Sequence, residues 1–149
     1  MFSQSEEECV FDLETQTDEF VKDIPEFSNY VWNNDRKEAT IKLKDGNILI
    51  AHRGGCVHFG ISGELHLKGN EISINDFDYW FEKVKWIGKR LFNDSDYEIL
   101  VKSLENKTYT DMSDNRGIYI VIPHKTYNEF LISIKTEEKS KVLYVGYYF

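Results

Sequence analysis

Apolar and polar positions alternate most regularly between residues 38 and 74. The runs are broken by Asp45-Gly46, Gly54-Gly55, Ser62-Gly63 and Gly69-Asn70, which are turn chemistry. This pattern predicts a five-strand antiparallel meander. A loop at 45–46 pairs Ile41 with Ile50 and Leu43 with Ile48. A loop at 54–55 pairs Ile50 with Phe59, Ile48 with Ile61 and His52 with Val57. A three-residue loop at 62–64 keeps Phe59 and Ile61 on the face of Leu67 and Leu65. A last turn at 69–70 pairs Leu67 with Ile72 and Leu65 with Ile74. Register matters because a one-residue slip moves a whole strand to the other face. The expected apolar face is Ala39, Ile41, Leu43, Ile48, Ile50, Val57, Phe59, Ile61, Leu65, Leu67, Ile72 and Ile74.

Such a face needs a cover. Residues 76–92 place Phe77, Trp80, Phe81, Val84 and Leu91 at helical spacing, with Asn75 as N-cap. Asp76 and Asp78 open this helix and Lys89 and Arg90 close it, matching its dipole. The capping box Ser95-x-x-Glu98 predicts a second helix to about Glu105, with Tyr97, Leu100, Val101 and Leu104 inward. A polar loop, 106–116, leads to three more strands at 117–122, 128–135 and 141–149. Ile118, Ile120 and Ile122 are expected to face Phe130, Ile132 and Ile134, and then Val142, Tyr144 and Tyr148. The last strand is also apolar at Leu143, Val145, Tyr147 and Phe149, the mark of a central or interfacial strand. Ahead of the meander, residues 17–24 predict a short helix capped by Thr17, with Phe20, Val21 and Ile24 inward and Pro25 as its stop. Together these elements predict one α+β domain over residues 1–149, frayed at residues 1–8.

Composition agrees with a soluble globular chain: 41% of the 149 residues are apolar and 30% are charged. Scarce Ala and abundant Ile, Lys and Asn point to an AT-rich, bacterial coding sequence. The acidic N-terminus lacks the basic-then-apolar pattern of a secretory leader. No apolar run approaches a membrane span of about 20 residues. Cys9 and Cys56 form no recognisable framework and are expected as free thiols, which places the chain in the cytoplasm.

Charge changes the picture more than composition does. Residues 1–30 carry nine acids against Lys22, a balance of −8, while the remaining residues carry 17 acids and 17 bases. The net charge of −8 is therefore that of the first fifth of the chain. Such a field repels nucleic acid and anionic membrane, and it speeds the arrival of a basic partner. Glu6, Glu7 and Glu8 belong to the tail expected to fray. Asp12, Glu14, Asp18, Glu19, Asp23 and Glu26 are the expected partner contacts, because aromatic residues interleave with them: Phe11, Phe20, Phe27, Tyr30 and Trp32.

Catalytic chemistry finds little support. His52, Cys56, His58 and His66 are ligand types suited to zinc, but their spacing lacks the tight pairs of a structural site. Cys56 and His58 share a strand face in the expected register, with no feature to lower the thiol pKa. Gly54-Gly55 lacks the Lys-Ser/Thr ending of a phosphate loop. Lys83, Lys85, Lys89 and Arg90 alternate with Asp76, Asp78 and Glu82 on a solvated helix and make no nucleic-acid surface. No catalytic residue, metal or cofactor is expected.

In size, acidity, α+β pattern and want of a catalytic motif, the chain resembles the small acidic immunity proteins that neutralise bacterial toxins, including those of contact-dependent growth inhibition. The resemblance is one of type, and no family motif is matched. It implies a stoichiometric inhibitor of a cognate basic toxin, often a nuclease, with acidic side chains standing in for nucleic-acid phosphates. The alternatives are a small-molecule binding module, with the sheet curled round an apolar ligand, and an enzyme dependent on Cys56, His58 and His66.

Overall fold

A computed structural model describes residues 9–68, 72–124 and 129–148. The expected fraying at residues 1–8, and the turn at 69–70, lie outside the described residues. The strands are β1 (Val31–Asn33), β2 (Glu38–Lys42), β3 (Ile48–Gly54), β4 (Gly60–Lys68), β5 (Thr110–Asp111), β6 (Gly117–Ile122), β7 (Phe130–Glu137) and β8 (Ser140–Tyr148). They form one antiparallel sheet in the order β1-β2-β3-β4-β8-β7-β6-β5. The helices are α1 (Glu19–Lys22), α2 (Phe77–Leu91) and α3 (Asp94–Asn106). The class is α+β, as expected, but the meander is corrected.

Two glycines account for the correction. Gly46 takes a left-handed φ of 89°, and Leu43 N–H donates to Asn47 O at 2.8 Å, so the first hairpin closes round a three-residue loop. The extra loop residue slips the register by one. Ile41 faces Leu49 and Ala39 faces Ala51, so Leu49 and Ala51 are buried where Ile48 and Ile50 were expected. Gly63 makes no turn. It lies mid-strand, paired with Ala51 and Val145, and a Cβ there would sit 2.5 Å from Ile87 Cγ2 on α2. The glycine is needed for helix–sheet approach. Expected third and fourth strands are therefore one strand, β4. Ile72 and Ile74 lie in no strand, and Phe59 and Val57 belong to the loop after β3.

β8 is central, between β4 and β7, as its two apolar faces predict. Its inward set is Leu143, Val145 and Tyr147, in place of Val142, Tyr144 and Tyr148. Ile118, Ile120 and Ile122 do pair with Ile134, Ile132 and Phe130. Helix α2 buries Trp80, Val84, Ile87, Gly88 and Leu91. Phe81 and Phe77 are only half-buried. The caps are Asp76 and Asn93, one residue after Asn75 and two before Ser95, with Asn93 Oδ1 accepting Asp96 N–H at 2.8 Å. The sheet face away from α2 carries Thr40, Ile50, Glu64, Tyr144, Ser133 and Tyr119 in one cross-strand row.

Candidate partner-binding surface

The acidic segment is fastened to the sheet at several points. Cys9 and Cys56 form a disulfide, so the expectation of free thiols is corrected. Val10 and Phe11 N–H groups both donate to Cys56 O, at 2.9 and 3.0 Å. The Phe11 ring lies 5.3 Å from that of Phe59. Gln16 is buried, and its amide mimics a strand: Nε2 donates to Gly55 O and Oε1 accepts from Gly55 N–H, both at 2.8 Å. Gly55 is obligatory there, because its φ is +148° and a Cβ would strike His58 O. The paired amide leaves no buried polar atom of Gln16 unsatisfied.

Downstream, the expected helix at 17–24 shrinks to α1, and Thr17 Oγ1 accepts Glu19 N–H at 3.3 Å. Pro25 opens a single 3-10 turn, Pro25–Phe27. Val21 and Phe27 are fully buried in the main core. Phe20 packs edge-on against Trp32, with centroids 5.9 Å apart. These aromatic contacts hold the segment on the fold, with Phe27 buried and Phe11, Phe20, Tyr30 and Trp32 half-buried.

The six expected contacts divide in three. Asp18 accepts a 2.5 Å hydrogen bond from the Tyr30 hydroxyl, and Glu26 accepts one from Arg90 Nη2 at 2.8 Å. The bond from Arg90 holds the Glu26 carboxyl below its ordinary range. The bond to Asp18 pushes the Tyr30 phenol up to about 12. Glu19 pairs with Lys22 at 3.3 Å. Asp12, Glu14 and Asp23 are exposed and make no ion pair among the described residues. Asp12 Oδ1 instead caps the 3-10 turn Leu13–Thr15. Beside them a cleft of about 230 Å³ is lined by Glu19, Phe20, Phe59 and the cation Arg53.

The other candidate chemistry is dispersed. His52 hydrogen-bonds Arg36 O and Gly54 O, His66 pairs with Glu64 at 2.7 Å, and His58 lies edge-on to Tyr148. Cys56 is bridged and offers no thiolate while the bond stands. Among the described residues no cluster of three or more His, Cys, Asp or Glu is arranged to hold a metal ion. One cluster had no signal in the sequence. Buried Asp96 accepts from the Tyr147 hydroxyl at 2.5 Å and lies 3.0 Å from His124 Nε2, tying α3 to β8 and to the end of β6. Its residues are 28 and 51 positions apart, so only the folded topology unites them.

No family model, no curated protein and no solved structure matches this chain. No helix among the described residues is long and apolar enough to cross a membrane.

Proposed function

We propose that the protein is a stoichiometric inhibitor of the immunity type, binding a cognate basic bacterial toxin through its acidic flank. The supporting observation is that residues 9–27 are fixed by the disulfide, the Gln16–Gly55 pair and two fully buried side chains. A frayed acidic tail loses conformational entropy on making a contact, whereas a fixed one has already lost it. Asp12, Glu14 and Asp23 are the contacts this reading favours, since no cation among the described residues forms an ion pair with them. Asp18 and Glu26 serve the fold first, through Tyr30 and Arg90. Nuclease toxins suit the proposal, because carboxylates at fixed spacing can occupy a phosphate-binding surface. The reading is one of binding and not of turnover.

The test is association kinetics against the product of the adjacent upstream gene or a partner captured from the host. The variant Asp12→Asn/Glu14→Gln/Asp23→Asn should bind more slowly than the parent protein. Its rate should also depend less on salt, since the Debye length falls from about 10 Å at 0.1 M to about 3 Å at 1 M. Equal association of both proteins at every salt concentration would reduce the flank to a solubilising surface.

The proposed cytoplasmic residence now meets the disulfide. Such bonds persist mainly in oxidising compartments and are removed by the cytoplasmic thiol pool. The intact mass of protein taken from its host under alkylation, bridged or reduced, decides the compartment.

A further inference from the structure

We propose that a second site, opposite in charge to the acidic flank, binds a small organic anion with a flat apolar body. The site is a groove of about 620 Å³ between residues 25–28, the β2–β3 loop and α2. Pro25, Leu43, Leu65 and Trp86 form its apolar lining. That volume falls in the range of small-molecule sites, about 300–1,000 Å³, and the lining has the usual composition of an apolar body with a few charges.

Charge selects the occupant. Three lysines, Lys42, Lys44 and Lys83, line the groove, and none has a carboxylate within 4.0 Å among the described residues. Three acids line it too, but two are already matched. Glu26 is bound by Arg90 at 2.8 Å, and Glu82 by Lys85 at 3.4 Å. Asp45 remains, its Oδ1 accepting Asn47 N–H in the loop. Unmatched charge in the groove is therefore three positive against one negative, in a chain of net charge −8. A local positive field in a protein that otherwise repels anions is what an anion-binding site requires.

The apolar wall is fixed. The Arg90 guanidinium stacks on the Trp86 indole, 4.0 Å from the ring centroid, and Arg90 Nη1 donates to Trp86 O at 3.0 Å. The Phe27 ring lies 6.1 Å from Trp86. Lys83 Nζ sits 5.4 Å over the Tyr79 ring. A planar ligand meets an indole already held in place, and its anionic group meets lysines that have no carboxylate partner among the described residues. This site is independent of the toxin reading and stands or falls separately.

The probe is anilinonaphthalene sulfonate, titrated into the oxidised full-length protein with its own fluorescence and tryptophan quenching as readouts. The expected result is one saturable site that weakens as salt is added. Neutral phenylnaphthylamine should bind at least about tenfold more weakly, for want of the charge contact. Lys44→Glu/Lys83→Glu should weaken the sulfonate by about tenfold or more. Lys135→Glu/Lys139→Glu makes the same change in net charge elsewhere and should leave it unaltered. If the first pair disturbs folding, Lys44→Glu alone, in the exposed loop, carries the same test with a smaller loss. Equal binding of the neutral probe, or equal behaviour of the two charge-reversed pairs, overturns the proposal.

Discussion

Removing the Cys9–Cys56 bridge tests how the acidic flank is held. The two cysteines are 47 residues apart, so the bond closes a long loop in the unfolded chain. Loop-closure entropy for that length corresponds to about 4 kcal/mol at 25 °C. In the native state little else is lost on reduction. The Val10 and Phe11 bonds to Cys56 O, and the Gln16–Gly55 amide pair, need no sulfur–sulfur bond. The effect therefore falls mainly on the unfolded ensemble, and close to the full value is expected. For a chain of this size each kcal/mol moves the thermal midpoint by about 2–4 °C, so Cys9→Ser/Cys56→Ser should melt roughly 8–16 °C below the oxidised protein. Differential scanning calorimetry measures it, with intact mass showing the oxidised protein two hydrogens lighter than the reduced. Parent protein treated with a dithiol should melt with the variant. Coincident midpoints for the oxidised and bridge-free proteins would show that the bond does not constrain the chain, and the case for a prefixed flank would weaken with it.

Two further outcomes follow from burial and hydrogen bonding. Trp80 is fully buried and donates its indole N–H to Ser73 O at 2.9 Å, so Trp80→Ala should cost about 3–5 kcal/mol in urea denaturation, whereas half-buried Phe81→Ala should cost clearly less. Equal losses would place α2 in a different rotation about its axis. Tyr30 should ionise near 12, since its neutral phenol donates to Asp18. A raised folded pKa means that this contribution is full below the ordinary tyrosine value near 10 and is lost as pH rises through about 12. Ultraviolet titration of Tyr30→Phe should lack a phenolate component that ionises near 12 in the parent protein, and an unchanged curve refutes the assignment.

The sheet was readable where side chains discriminate between faces and unreadable where they do not. Strands β6 and β7 place Ile, or Phe at 130, at every second position, and their register emerges as expected. Strand β3 reads Ile48-Leu49-Ile50-Ala51, apolar on both faces, so alternation cannot choose between registers one residue apart. The choice then fell to the turn, and a three-residue loop with left-handed Gly46 differs from a two-residue one by that single step. β8 failed the same way, with Val142-Leu143-Tyr144-Val145 apolar throughout. Gly63 misled for another reason. In sequence a glycine beside a serine reads as a turn, but here it leaves space for Ile87. That role depends on a helix arriving from more than 20 positions downstream, which no local pattern records.

The two proposed surfaces divide along the same line between local and long-range information. Segregation of charge needs only counting, and the six acids were found that way. Which of them are free needs partners distant in sequence: Arg90 for Glu26, 64 residues away, and the fold that brings Tyr30 to Asp18. The groove was hidden for the same reason, because Lys44 and Lys83 belong to separate elements, the β2–β3 loop and α2. Glu26 joins the two surfaces. It ends the acidic segment, lines the lysine groove and is neutralised by the Arg90 that also braces Trp86. Without that ion pair its carboxylate would oppose an anion in the groove; with it, the negative flank stops at the groove's wall. One salt bridge, between a chain segment and a helix, thus separates a surface suited to a cation from one suited to an anion.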